Sequence, residues 1–239
     1  MKKLTVYFAA LIFLSSCYMG WNGERYNGNG NVRTETRNVG DFHGVRTSGS
    51  IDVEISQADV FSVSVEDDDN ILPIIVTNVS NGILNVHYKD NTSISDDHAK
   101  VYIKAPSLDK IVTSGSANIV INDVIKSDRA IEVSVSGSGD IRGGLDAPKI
   151  STSIGGSGNI TLHGHTRDFE GHVSGSGDLK CSDLQSENAD VSVSGSGNVH
   201  VFASVSLKAR ASGSGDVYYR GNPSSPEVHT SGSGSVRPE

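Results

Sequence analysis

A short Gly/Ser phrase recurs six times at nearly even spacing in the second half of the chain. The copies occupy residues 136–141, 155–160, 174–179, 194–199, 212–217 and 231–236, and the first reads Ser-Gly-Ser-Gly-Asp-Ile. The second glycine stands at positions 139, 158, 177, 197, 215 and 234, which gives steps of 19, 19, 20, 18 and 19. A fixed period of this length is typical of one structural unit that stacks on itself.

The repeated unit has the sequence pattern of β-strands. Short alternating runs such as 133–135 and 191–193 precede the phrases, and each copy ends on Ile, Leu or Val. This pattern favours strands with one buried face. Two-residue hairpin turns are largely missing, so the chain does not reverse in each unit. A chain that winds one way pairs each strand in parallel with its copy one turn later. The sequence therefore predicts an all-β fold, a parallel β-helix (solenoid) with rungs of about 19 residues.

The first half alternates between apolar and polar residues as well, for example over 51–55 and 61–65. Weaker copies of the phrase begin at Thr47 and Thr113, but their separation of 66 residues is not a multiple of 19. We predict one β-helix domain over 41–239, with irregular, longer coils over 41–132 and regular repeats over 133–236. The alternative is a separate small β-sandwich in the first half.

The phrase carries a polar column directly after its second glycine. The equivalent positions hold Asp140, Asn159, Asp178, Asn198 and Asp216. Equivalent residues of stacked strands lie about 4.8 Å apart, and the alternation of Asp with Asn keeps like charges from adjacent rungs. Small residues suit a tight corner, and glycine accepts positive φ without a Cβ penalty. We predict a structural corner column at these positions, with positive φ at some of the second glycines.

The start of the chain has the pattern of an export signal. A short basic start precedes an apolar run over 4–14, which is typical of a signal peptide and too short to span a membrane. Residues 14–17 read Leu-Ser-Ser-Cys and resemble the lipobox of bacterial lipoproteins, in which the cysteine is lipidated. We predict a signal peptide over 1–16 and lipidation of Cys17, which would hold the protein on a membrane. The alternative is an ordinary signal peptide with an incidental cysteine.

Gly and Asn dominate the segment that follows Cys17 and show no periodicity, which predicts a flexible tether over 17–40. Once Cys17 is lipidated, Cys181 is the one cysteine left of two, so the chain has no intramolecular disulfide. We predict that Cys181 is a small buried side chain.

The charge of the chain disfavours two classes of partner. The net charge is −8, and removal of Lys2 and Lys3 with the signal peptide changes it to −10. Nucleic-acid binding depends on cationic side chains that neutralise phosphates, so we expect no nucleic-acid partner. An anionic membrane surface would repel the chain for the same reason, which leaves the lipid as the membrane anchor.

The glycine-rich phrase does not match the common cofactor loops. A phosphate loop needs Gly-Lys-Ser or Gly-Lys-Thr, and a dinucleotide loop needs a third glycine three residues past the second; no copy has either. Calcium-binding nonapeptide arrays share Gly-Ser-Gly-Asp but have a shorter period. The eight histidines follow no metal-ligand spacing, and serines that recur in every unit indicate a ladder rather than one nucleophile. We therefore predict no catalytic residue, no metal site and no cofactor.

The repeated Ser-Gly-Ser-Gly-Asp/Asn phrases, the lipoprotein signal and the strand-rich first half resemble the head GIN domain family of auto-transporter adhesins, a domain of unknown function common in Bacteroidetes. The resemblance covers about 41–236 and implies a β-helical body and a location in the cell envelope. A literal Gly-Ile-Asn does not occur in the chain, so the resemblance transfers no site residues.

We therefore predict a non-enzymatic cell-envelope lipoprotein of the outer membrane, an adhesin or a structural or binding module with a protein or glycan ligand. It would face the periplasm or the cell surface, and the lack of acidic residues directly after Cys17 favours the periplasm. The sequence specifies neither the ligand nor an oligomeric state. The alternative is a β-helix that binds or cleaves carbohydrate in a groove. Exposed aromatic residues on one face would support it, but Tyr218 and Tyr219 are the only adjacent aromatic pair after Cys17, which weakens this alternative.

Overall fold

The computed structural model describes residues 23–95 and 98–239, which form an all-β architecture with one 3₁₀ turn, Leu72–Ile74. The strands are β1 (Glu24–Asn27), β2 (Val32–Arg37), β3 (Gly44–Gly49), β4 (Asp52–Gln57), β5 (Ser62–Asp68), β6 (Ile75–Ser80), β7 (Ile83–Tyr88), β8 (Thr92–Ser95), β9 (Lys100–Ala105), β10 (Lys110–Gly115), β11 (Ile119–Lys126), β12 (Ile131–Gly137), β13 (Ile141–Gly156), β14 (Ile160–Val173), β15 (Leu179–Gly195), β16 (Val199–Phe202), β17 (Ser206–Gly213), β18 (Val217–Arg220), β19 (Glu227–Gly232) and β20 (Val236–Pro238).

Two parallel ladders run along the molecule. One follows β7, β3, β10, β12, β13, β14, β15, β17 and β19. The other follows β9, β4, β11, β13, β14, β15, β16, β18 and β20. The long strand β13 contributes a segment to each ladder, because 141–146 pairs with β11 and 150–156 pairs with β12. The chain is thus a β-solenoid of stacked parallel coils, as the sequence predicted.

The strand register reproduces the spacing of the repeated phrase. Successive partners are Ile131 and Ile150, Ile150 and Phe169, Phe169 and Ala189, Ala189 and Leu207, and Ala209 and Val228. These pairs are 19, 19, 20, 18 and 19 residues apart, the same steps that separate the second glycines. One copy of the phrase therefore corresponds to one coil.

Aliphatic columns fill the inside of the coils. One column contains Val53, Ile119, Ile141, Ile160, Leu179, Val199 and Val217, each 0% exposed. Full burial of such side chains stabilises the fold by about 1.5–3 kcal/mol each. Cys181 pairs in register with Val201 and is also fully buried, which confirms the predicted small buried side chain. Burial raises the pKa of the Cys181 thiol to about 12.

The first half belongs to the same stack of coils. Thr47 in β3 pairs in register with Thr113 in β10, so the two weak copies of the phrase lie on adjacent coils despite their 66-residue separation. The residues between them add antiparallel strands: β5 pairs with β2 and β9, and β6 pairs with β7. Because strand pairing is continuous between the two halves, the first half is not a separate β-sandwich.

The predicted flexible tether over 17–40 is wrong for residues 24–37, which form β1 and β2. β1 pairs with β8, and β2 pairs antiparallel with β5. The Asn and Gly residues between them make specific bonds, since Asn29 Nδ2 donates to Asp69 at 2.7 Å and Gly30 N donates to Asp68 at 3.0 Å. The predicted signal peptide and lipidation site, Cys17, lie outside the described residues. Within 23–95 and 98–239, no helix is long and apolar enough to cross a membrane.

Candidate functional site

The predicted corner column forms a continuous hydrogen-bonded ladder on successive coils. We call it the corner ladder, and it consists of Asp52, Asn118, Asp140, Asn159, Asp178, Asn198, Asp216 and Ser235. The Oδ1 of Asp140 accepts from both the backbone N and the Nδ2 of Asn159, at 2.8 and 2.9 Å. Asn159 Oδ1 in turn accepts from the backbone N of Asp178 at 3.0 Å. The side chain of each coil thus satisfies a backbone N–H of the next coil.

This pattern explains why Asp and Asn alternate. An ionised carboxylate only accepts hydrogen bonds, whereas an amide both donates and accepts. An amide above each carboxylate therefore adds a donor and separates the charges. Sequence analysis missed the lower members Asp52 and Asn118. The two weak phrases begin at Thr47 and Thr113. Aligning them with the regular copies would have identified both residues.

The glycines of the corner are required for reasons that differ from the prediction. The second glycines lack positive φ, which occurs instead at first glycines of the phrase such as Gly137 (125°) and Gly213 (121°). The second glycines are needed for close packing of coils. A Cβ on Gly177 would lie 1.9 Å from the carbonyl oxygen of Gly158, and one on Gly158 would lie 2.0 Å from that of Gly139. The corner is thus a tightly packed structural element.

A groove of about 530 Å³ lies on another part of the same coils. We call it the open groove, and its lining residues are Asp146, Ala147, Pro148, His165, Thr166, Arg167, Gln185, Ser186, Glu187, Phe202 and Ser204. Asp146 pairs in register with His165, and His165 with Gln185. These three polar residues therefore form a column across three successive coils.

The polar side chains that line the open groove form two sets. In the first, Ser186 Oγ donates to the Phe202 carbonyl, and Ser204 Oγ donates to the Ser186 carbonyl at 3.2 Å. The second set, which we call the rim, has no side-chain hydrogen bond or ion pair with another residue of the described chain and consists of Asp146, His165, Gln185 and Glu187. A concave surface with a few convergent polar groups is the usual form of a small-ligand site.

The adjoining surface has a second groove, of about 460 Å³, in which the charged side chains are paired. We call it the paired groove, and it is lined by Lys149, Asp168, Phe169, Glu170, Asn188, Ala189, Asp190, Ser206, Leu207, Lys208, Ser225 and Glu227. Lys149 Nζ contacts Glu170 at 2.6 Å, Asn188 Nδ2 donates to Asp168 at 2.9 Å, and Lys208 contacts Glu227 at 3.6 Å. The hydrogen bond from Lys149 lowers the pKa of Glu170. The charged side chains of the paired groove therefore already have partners within the protein.

A smaller cavity, of about 260 Å³, has the Glu239 side chain in its lining. The Glu239 carboxylate accepts from Ser182 Oγ at 3.0 Å and contacts Arg220 Nε at 2.7 Å. These groups lower the pKa of Glu239, the Ser182 hydrogen bond most strongly.

The Tyr218 ring lies beside this cavity and is already engaged. It stacks on His200 with 4.7 Å between ring centroids, and the Arg237 guanidinium lies 4.7 Å from its centroid. Tyr219 packs against the core. Tyr218 and Tyr219, the only adjacent aromatic pair after Cys17, thus make internal contacts. Within the described residues, no group of three or more His, Cys, Asp or Glu could hold a metal ion.

Comparison with known proteins identifies the family of this chain. The family described as "Putative auto-transporter adhesin, head GIN domain" matches residues 41–223. The chain belongs to this family. Membership supports an adhesin-like role at the cell surface or in the envelope, and it confirms the resemblance drawn from the repeated phrase. No curated protein matches the chain.

Solved structures share the solenoid. A "putative adhesin" from Bacteroides fragilis NCTC 9343 has a TM-score of 0.83 at 20% identity, covering 90% of this chain and 100% of that chain. A "putative lipid binding protein" from Parabacteroides distasonis ATCC 8503 has a TM-score of 0.76 at 27% identity, with coverage of 90% and 100%. A "putative adhesin" from Parabacteroides merdae ATCC 43184 has a TM-score of 0.71 at 21% identity, with coverage of 91% and 100%.

Proposed function

We propose that this protein is a non-enzymatic, lipid-anchored module of the outer membrane that binds an external ligand through the open groove. The observation that carries the proposal is the contrast between the grooves. Every charged side chain of the paired groove forms an ion pair, whereas Asp146, His165, Gln185 and Glu187 around the open groove have no side-chain partner in the described chain. Membership of an adhesin family supports a binding role for such a surface.

The anchor in this proposal is Cys17. Seven Cα–Cα steps separate it from Glu24, the first residue of β1, so covalent geometry keeps Glu24 within about 25 Å of the lipidated residue. Replacement of Cys17 by Ser removes the lipid acceptor and should move the protein from the membrane pellet to the soluble fraction. Unchanged membrane association of the Cys17→Ser chain would refute lipid anchoring.

The side of the outer membrane can be tested on intact cells. The segment directly after Cys17 lacks acidic residues, and we propose the periplasmic face on that basis. External protease should leave the protein intact in whole cells and degrade it after the outer membrane is permeabilised. Degradation in intact cells would place the protein on the cell surface instead.

Binding itself is tested with the mature chain without its lipid, residues 18–239. The fragment has to include β1 and β2, because both strands pair with the body. We expect it to bind on an array of glycans and matrix proteins and to release no new reducing ends from bound glycans. Release of reducing ends would favour carbohydrate cleavage. A chain that binds no component of the array would contradict a role as a binding module.

A further inference from the structure

The open groove is elongated by the stacking of the coils. Its polar column, Asp146, His165 and Gln185, takes one residue from each of three successive coils. Adjacent rungs are about 4.8 Å apart, so a ligand that contacts all three residues extends over about 10 Å. This length suits an extended ligand of repeated units rather than a single small molecule.

The chemistry of the rim suits hydroxyl groups. Asp146 and Glu187 provide acceptors, while His165 and Gln185 each offer a donor and an acceptor. A hydroxyl donates and accepts at the same atom, so a mixed set of this kind can satisfy neighbouring hydroxyls on one ligand. The unpaired carboxylates of Asp146 and Glu187 also disfavour an anionic ligand. The cation beside them, Arg167, already contacts Asp168 at 2.9 Å.

The groove also has an apolar side. Ala147, Pro148 and Phe202 line it together with the polar column, and Phe202 is only half-buried. A pyranose ring combines a polar edge of hydroxyls with an apolar face of C–H groups. Such a ring fits a groove in which a few polar groups adjoin apolar surface.

An extended peptide fits this groove less well. Peptides that add to a sheet need a strand edge with free backbone groups. β14 pairs on both sides, with β13 and β15. Beyond β15, the carbonyls of Ser186 and Glu187 already accept from the backbone of the 204–205 segment, at 3.1 and 2.8 Å. The groove therefore offers side chains rather than backbone to a ligand.

We propose that the open groove binds a neutral oligosaccharide of two or three sugar units, which lies across successive coils with its hydroxyls on Asp146, His165 and Gln185. This inference deepens the proposed function, on which it rests, by naming the ligand class of the same groove. The ligand is held by hydrogen bonds to the rim and by contact of its sugar faces with the apolar side.

The test is a titration of the chain 18–239 with neutral trisaccharides: cellotriose, maltotriose, laminaritriose and chitotriose. We expect at least one to bind with a Kd below about 1 mM. Because each rim hydrogen bond contributes about 1 kcal/mol, His165→Ala and Gln185→Ala should each weaken binding about fivefold. His163→Ala is the matched control. His163 lies two residues away on the same strand, is exposed and does not line the groove, so its loss should leave the Kd unchanged.

The possible failures are distinct. Trisaccharide binding that survives both groove substitutions would refute the groove as the sugar site and leave the binding module standing. If no trisaccharide binds while a matrix protein does, the sugar assignment is wrong, and the proposed function holds if His165→Ala weakens binding of that protein and fails if it does not. If no ligand of any class binds, both proposals are wrong. Equal losses in His165→Ala and His163→Ala would also refute the groove assignment, because they would indicate a general effect of the substitutions.

Discussion

The corner ladder and the open groove occupy different parts of the same coils and use polar residues in opposite ways. In the corner ladder, equivalent positions carry nearly the same residue in every coil, and each side chain bonds to the coil beside it. In the open groove, the equivalent positions carry Asp146, His165 and Gln185, and these side chains bond to no other described residue. The repeated polar residues of the corner are therefore partners of one another in successive coils, whereas Asp146, His165 and Gln185 differ from coil to coil and are available for a ligand.

The largest effect should come from the corner. Gly177→Val places a Cβ where the carbonyl oxygen of Gly158 lies only 1.9 Å away, so the coils have to separate. We expect a loss of about 3 kcal/mol in the free energy of unfolding, at the upper end of the usual cost of overpacking. Urea unfolding measures it.

Gly155→Ser is the matched control for Gly177→Val. Gly155 pairs in register with Ser136, and the nearest atom to a Cβ built on it is Ser174 Oγ at 3.9 Å. Its stability should change by less than about 0.5 kcal/mol. If both variants are as stable as the parent, close packing of the coils at the second glycine is not required.

A smaller loss should follow from breaking the Asp/Asn alternation. Asn159→Asp removes the Nδ2 donor to Asp140 and places three carboxylates on adjacent coils. We expect a loss of about 1–2 kcal/mol at pH 7. The loss should shrink towards pH 4, because protonation removes the added charge.

Asn159→Ser is a control for charge in this position. Ser235 shows that a serine hydroxyl can donate to the aspartate of the preceding coil, at 2.8 Å to Asp216. The Ser variant should lose less stability than the Asp variant and show less dependence on pH. Equal losses at all pH values would mean that like charge has no part in the alternation.

The Glu239 contacts should have a weaker effect, and they sharpen the distinction between a cavity whose polar groups bind one another and the open groove. The pKa of Glu239 is lowered, so its carboxylate stabilises the fold above the ordinary pKa of a glutamate, and this stabilisation is lost as the pH falls through the lowered value. Glu239→Gln should cost less than about 1 kcal/mol, because the partners are partly exposed. The main effect of Glu239→Gln should be faster exchange of the backbone amide of residue 239, which donates to the carbonyl oxygen of Tyr219 at 2.9 Å. Unchanged exchange would mean that the carboxylate does not hold this segment in place.

The smallest effect on stability should be in the open groove. His165→Ala removes an exposed side chain without an internal partner, so the free energy of unfolding should change by less than about 0.5 kcal/mol. A loss as large as that of Asn159→Asp would mean that the rim is structural, as the corner is.

The sequence predicted most of the regular half because its period is local and repeated. Each phrase marks one coil, so the spacing of the second glycines equals the strand register. The first half was harder, since antiparallel strands such as β5 and β6 interrupt the period between β3 and β10. The segment 24–37 was misassigned because a Gly/Asn-rich composition does not reveal that Asn29 and Gly30 bind Asp69 and Asp68.

The open groove was not predicted, although its signal was present in the chain. Asp146, His165 and Gln185 stand seven, seven and eight residues after the second glycines at 139, 158 and 177. They share no residue type, so a search for motifs does not connect them. Alignment of the coils by their glycines places the three residues in one column, and only the fold shows that a groove lies there.

The most direct test of the account follows backbone amide signals of the chain 18–239 by NMR during titration with the trisaccharide that binds best. The account predicts shifts confined to the amides of the open groove, in 146–147, 165–167 and 185–187, with the amides of the corner ladder unchanged. Shifts concentrated at the serines and glycines of the repeated corner, or no shifts at the groove, would contradict it.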